Sequence, residues 1–313
     1  MPIKQLYLHI GRGKTGTTAI QRFLSVHRAK LLAAGLHYLE ADEAARMGHQ
    51  NFAKSFIRHP PPYMEMPPHL ERARDEVRAE LVASTAPHAL LSSENLTLAD
   101  IPALASFCRD AVDTARIKII FFARSQDELV ESQYNQMIKL ALCQKTFSEY
   151  LDSELEELDF AALLAPWSAE FGKENIIVRV FDAARDSIGD FLSCLPLPAN
   201  FATQPETNAA SANASVGHLA LQAFRALNAY EFQQQRRLYQ RLNEIIRPHD
   251  QPALFFDSGQ ARAFRERFRT SNEQFLREYL DRAGSDLGGR KYSDAERDRI
   301  SAEIQKLRKI VAI

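Results

Sequence analysis

The sequence predicts an α/β fold, a mostly parallel sheet layered between helices and followed by a helical C-terminal portion. Three observations carry this. Near the start an alternating run, Leu6, Leu8 and Ile10, stops at a glycine turn and gives way to helical spacing at Ile20, Phe23 and Leu24, which reads as strand, loop and helix. Further on, Ile117-Lys118-Ile119-Ile120-Phe121-Phe122-Ala123 is a nearly continuous apolar run of the type buried on both faces of a sheet. Beyond Asp182 a proline-punctuated connection leads into segments with apolar residues at helical spacing and heavily charged faces. The chain is expected to form a single domain, with an α/β core over 1–182 and a mainly helical part over 183–313.

Taken in order, the helix after the first loop is expected to run to about Ala34, where Gly35 ends it and residues 36–39 return as a short extended piece. Residues 42–56 are helix-prone and carry His49 within Gly48-His49-Gln50-Asn51-Phe52. Pro60-Pro61-Pro62 and Pro67-Pro68 cannot continue a helix and mark an exposed loop or lid with an apolar centre, Tyr63-Met64-Glu65-Met66. An amphipathic helix over about 69–84 leads into a compact apolar strand, Ala89-Leu90-Leu91, that ends in Ser92, Ser93 and Glu94. The strand from Ile117 ends at Arg124; Ser125 then serves as a helix cap with Asp127 and Glu128 in the first turn. A helix holding Trp167 and stopped by Gly172 precedes the last strand, 175–181, and further helices are expected at about 215–228, 231–246, 258–283 and 293–311.

Composition narrows the function. At 313 residues, 45% hydrophobic and 25% charged, the chain has ample material for a core. A net charge of −1 counts against a general nucleic-acid binder, although a local basic cleft can still hold an anion. Cys108, Cys143 and Cys194 lie in apolar segments and read as buried free thiols in a reducing compartment. The first apolar run is short and alternating, and no run reaches the roughly 18 residues of a membrane span, so a soluble cytoplasmic protein is expected.

The chemistry concentrates in Gly11-Arg12-Gly13-Lys14-Thr15-Gly16-Thr17-Thr18. Gly11, Gly13 and Gly16 let backbone N–H groups turn toward an anion, Thr17 and Thr18 offer hydroxyls and a helix cap, and the helix N-terminus and Lys14 add positive charge. The lysine precedes the last glycine, so this is not the G-x-x-x-x-G-K-[ST] loop of nucleotide triphosphatases. From Lys14 to Thr18 it instead resembles the 5′-phosphosulfate loop, P-K-[ST]-G-[ST]-[ST], of sulfotransferases that use 3′-phosphoadenosine 5′-phosphosulfate (PAPS), with Gly13 in place of the proline. Ala19, where cytosolic members often carry Trp, and the neighbouring Gln21 look more like the bacterial and carbohydrate-modifying branches. Arg124 and Ser132, eight residues apart across a strand end and the following helix, are similar to the R-x(7)-S motif that holds the 3′-phosphate in that family.

The resemblance implies a three-layer P-loop-like fold and sulfuryl transfer from PAPS to an acceptor hydroxyl of a carbohydrate, lipid or small metabolite, leaving 3′,5′-adenosine bisphosphate. Gly13, Lys14, Thr15, Gly16, Thr17 and Thr18 would hold the 5′-phosphosulfate, and Arg124 and Ser132 the 3′-phosphate. Lys14 would also neutralise the leaving oxygen. The base is expected to be Glu94, which stands at the carboxyl end of a strand and resembles the glutamate of heparan-type enzymes, with His49 as second choice. His9 reads as packed, Arg179 as a strand-end structural group, and Asp286-Leu287-Gly288-Gly289-Arg290-Lys291-Tyr292 as an interhelical turn or a basic loop over the 3′-phosphate. No metal-ligand spacing and no G-x-S-x-G elbow occur. Two other readings stay open: a P-loop kinase or nucleotide hydrolase, and a nucleotide-binding module without catalysis on the same fold.

Overall fold

A computed structural model describes residues 3–42, 47–110, 116–182, 185–198, 201, 216–228, 235–247, 253, 255–290 and 298. Five parallel strands form one sheet: β1 (Gln5–His9), β2 (Leu36–Tyr38), β3 (His88–Ser92), β4 (Ile117–Ala123) and β5 (Ile176–Val180), in the order β2-β3-β1-β4-β5. The α/β class with a parallel sheet is thus as the sequence predicts. The chain lays β2 and β3 on one side of β1 and then crosses to β4 on the other, so the carboxyl ends of β3, β1 and β4 stand side by side at the switch point where open sheets collect ligands.

The first compact unit comprises Met1–Arg124, Asp159–Glu206 and Ser271–Leu287. One face of its sheet packs Tyr7, Leu90, Ile120 and Phe122 against Ile20, Phe23 and Leu24 of α1 (Thr17–Val26), Leu31 of α2 (Arg28–Ala33) and, beyond α3 (Gln50–Lys54), α4 (Leu70–Ala83), α5 (Ile101–Arg109), α6 (Gln126–Lys139), α7 (Phe147–Glu154) and α8 (Phe160–Phe171) in the chain, Phe191 of α9 (Ser187–Leu192). On the opposite face Phe121 meets the rings of Phe160 and Phe275. Adjacent residues of one strand, Phe121 and Phe122, thereby fill two different layers, as the two-residue strand period demands.

The second unit comprises Ser125–Leu158, Thr207–Thr270 and Gly288–Ile313. Around α6 it gathers α7, α10 (His218–Leu227) and α12 (Ser258–Glu266), and α11 (Gln235–Ile246) lies against α10. Asn135 exchanges two hydrogen bonds with the backbone of Val216, and Phe147, Phe255 and Tyr134 form an aromatic cluster. Clustering in space cuts across the expected 1–182 and 183–313 parts: α6 and α7 group with 207–270, and 271–287, most of α13 (Arg269–Leu280), with the sheet.

Several boundaries differ from the sequence expectation. The helix after the first loop is broken at His27, and with α2 redirected Arg28 donates to the carbonyls of Tyr38 and Leu39. Within 42–56 the described helix is only Gln50–Lys54, because Gly48 sits at φ 80°, which no helix tolerates. The expected helix 258–283 is two, since Arg267 and Phe268 donate to carbonyls three residues back and tighten the end of α12. The segment 293–311 lies outside the described residues, Asp298 excepted.

Candidate functional site

β1 delivers the chain into the loop. Gly11 follows the strand closely enough that a Cβ there would come within 2.5 Å of His9 Nε2 and 2.9 Å of Thr17 Cγ2, so the loop lies directly on the histidine. Lys14 adopts φ 72° and Gly16 φ 81°, and Gly16 forms the N-cap of α1 with no side-chain cap bond. Thr17 and Thr18, expected to cap, therefore do not, and the first N–H groups of α1 keep the unsatisfied dipole end that binds anions. Thr15 is fully buried and its hydroxyl donates to Arg12 O at 2.5 Å, which commits it to the loop's own shape. A Cβ at Gly13 would meet nothing within 4 Å, so the space at this position does not demand a glycine.

Arg124, the residue after β4, donates from Nη1 to Lys14 O at 2.9 Å and lies over the Phe181 ring at 5.3 Å. Two cationic residues far apart in sequence thus meet at one loop. Ser132 belongs to the second unit, on α6, half-buried. At the start of α6, Ser125 takes the N-cap place, but its hydroxyl donates to Asp127 Oδ1 at 2.5 Å and accepts no backbone N–H, a departure from the expected cap.

Glu94 follows β3 and opens a short 3-10 helix. Gln21 Nε2 donates to its Oε2 at 3.2 Å and Gln50 Nε2 to the same oxygen at 3.1 Å. The orientation of Gln50 is fixed by donors on its own Oε1, Ser93 Oγ and Asn95 Nδ2, each at 2.8 Å. His49 has no solvent exposure; Ser92 N–H donates to its Nδ1 at 3.1 Å, which leaves the Nε2 proton for Leu39 O at 3.2 Å. Both ring nitrogens serve the backbone, so the geometry suits His49 to staple the ends of β2 and β3. His9 Nδ1 lies 2.8 Å from Ser92 Oγ, which also accepts from Gln21 Nε2 at 3.3 Å.

No family model matches the chain. Over 171 residues it is 29% identical to an uncharacterised protein of Archaeoglobus fulgidus; the match covers 52% of this chain and 46% of that protein, so the chain spans about half the length of the curated relative. Among solved structures it is similar to a sulfotransferase from Alicyclobacillus acidocaldarius, at 16% identity over 84% of this chain and 95% of that one, with a TM-score of 0.45. Retinol dehydratase in complex with androsterone and inactive cofactor PAP is similar at 14% identity over 98% of this chain and 81% of that one, TM-score 0.31. At these scores the likenesses carry no argument about activity, and the residues have to carry it.

The other candidate residues have these surroundings. Arg179 Nη1 donates to Val178 O and lines a cleft of about 660 Å³ at the sheet edge with Lys173, Arg277 and Asp281, a lining that includes neither the loop nor Glu94. In the second unit the turn at Gly288-Gly289-Arg290 is tied to α6: Arg290 N–H donates to Glu128 Oε1 and its guanidinium lies 3.7 Å from Glu131 Oε2. The three cysteines are free and buried. No helix among the described residues is long and apolar enough to cross a membrane, and none of them form a metal-type cluster.

Sequence reasoning missed Gln21 and Gln50 as partners of Glu94. A signal existed for the first: Gln21 stands beside Ile20 and Leu24 on the helix side that faces the core, where an amide needs partners.

Proposed function

We propose that this chain transfers a sulfuryl group from PAPS to an acceptor hydroxyl. The observation that supports the reading best is the convergence on the phosphosulfate-type loop of Lys14, the uncapped N-terminus of α1 and Arg124, whose guanidinium reaches the loop from the next strand end. These groups fit an anionic donor: loop amides and the α1 dipole for its 5′-phosphate, Arg124 for its 3′-phosphate. Ser132 keeps its part in the proposal on sequence spacing alone.

The bound donor would supply an activated sulfuryl group for in-line displacement. Glu94 acts as general base, taking the acceptor's proton on Oε1, while Lys14 neutralises charge on the leaving oxygen. Positioning and electrostatics then carry most of the rate, as in phosphoryl transfer. His49 is assigned to holding the strand ends in place, and the acceptor is a hydroxyl compound.

Calorimetric titration with 3′,5′-adenosine bisphosphate, against ADP and ATP with magnesium, tests this reading. Wild type is expected to bind the bisphosphate at micromolar level or better and the others much more weakly, and Arg124→Ala to abolish the preference. Equal binding of ATP with magnesium, or none of any ligand, overturns it. Binding without turnover would favour a nucleotide-binding module.

A further inference from the structure

We infer that Gln21 is a positioning residue for the reaction: from the helix that follows the phosphate loop it holds Glu94 by Oε2 and so presents Oε1 to the acceptor hydroxyl. This rests on the reading of Glu94 as base. Gln21 is only 3% exposed, and a buried primary amide is costly unless its donors are used. Its Nε2 spends them on Ser92 Oγ at 3.3 Å and Glu94 Oε2 at 3.2 Å. Turning the amide over would set its oxygen against the carboxylate, so the network admits one orientation.

The surroundings are shaped to that side chain. A Cβ on Gly48 would lie 2.8 Å from both Cδ and Nε2 of Gln21, so Gly48 forms the wall of its slot. The next residues continue the support, His49 on Ser92 and Gln50 on the same Glu94 oxygen. Both amides therefore converge on Oε2, and Oε1 accepts no hydrogen bond from the described residues. At the other end the chain of contacts runs from Ser92 Oγ to His9 Nδ1, and His9 Nε2, buried and without a partner, lies under Gly11 of the loop. One polar line thus runs from the floor of the donor loop to the base, with Gln21 as the link.

The test is a double-mutant cycle of Gln21→Met and Glu94→Ala, reading release of the bisphosphate from PAPS with water as acceptor, alongside calorimetric binding of the bisphosphate. Gln21→Met alone is expected to lower kcat at least tenfold, with KM for PAPS and bisphosphate affinity unchanged within twofold, and to cost nothing further in the Glu94→Ala background. An additive loss, or a loss of bisphosphate affinity, overturns the inference while leaving the proposed activity standing. Wild type that binds the bisphosphate without turning PAPS over defeats the catalytic reading itself, and the inference with it. Should Gln21→Met fail to fold, the side-chain amide NMR signal of Gln21 is compared in wild type and Glu94→Ala; a signal that does not move overturns the contact.

Discussion

His9 stands on β1 with no solvent exposure, and burial pushes its imidazole down from the ordinary 6.5 to about 3. It is neutral at physiological pH and works as a hydrogen-bonding strut beneath the loop. An unfolded chain takes up a proton at this position as pH falls through 6.5, whereas the folded one waits until about 3. Stability is therefore lost progressively as pH falls through that window, at a slope approaching about 1.4 kcal/mol per pH unit. Urea denaturation of wild type and His9→Asn at pH 7 and pH 5 is expected to show a smaller loss on acidification in the variant; an equal loss would place the acid sensitivity elsewhere. The same scale decides Thr15. Its hydroxyl is spent on Arg12 O, so Thr15→Val is expected to loosen the loop more than to remove a ligand contact, and titration should show weakened binding of bisphosphate and ADP alike.

At the scale of elements, strand ends bring the chemistry together and the stretch from Gly48 to α3 braces it. Gly48 takes φ 80°, and a Cβ there would also lie 2.9 Å from Ser92 O, which is backbone and cannot swing aside. Gly48→Ala should cost about 1–3 kcal/mol through left-handed strain and crowding. It should also reduce turnover by displacing Gln21, whereas Ala33→Gly at the exposed end of α2 should cost under about 1 kcal/mol and leave turnover alone. Melting curves with matched rate measurements separate the two effects. The break at His27 belongs to this scale as well: helical periodicity runs on through it, and what ends α1 is a tertiary bond from Arg28 to the end of β2.

For the molecule as a whole, each unit has its own interior. In the second, Asp127 is fully buried and held by both Nε and Nη2 of Arg265, at 2.9 and 2.7 Å. Arg265→Met would remove both of these charge-assisted donors from a buried carboxylate. Breaking a buried pair typically costs about 3–5 kcal/mol, and because the Arg265 side chain is 30% exposed the expected loss is nearer 2–3 kcal/mol. Hydrogen exchange should show lost protection in α6 and α12, with β1 and β4 much less affected. Uniform loss across both sets of elements would mean that the two units unfold as one cooperative body.

Local rules and the linear pattern decided a good deal of this protein. Alternation set β1, the continuous apolar run set β4, and glycines around a lysine before a helical pattern set the loop, because each depends on neighbours in the chain. The residues at strand ends, Glu94 and Arg124, were legible for the same reason. Tertiary structure alone decided what those ends meet. That Arg124 reaches Lys14 O, that two glutamines seize one oxygen of Glu94, and that His49 gives both nitrogens to the backbone depend on contacts between residues up to 110 positions apart. A hydrogen bond is fixed by distance and direction in space, and spacing along a chain carries neither until the sheet order β2-β3-β1-β4-β5 has set three strand ends side by side.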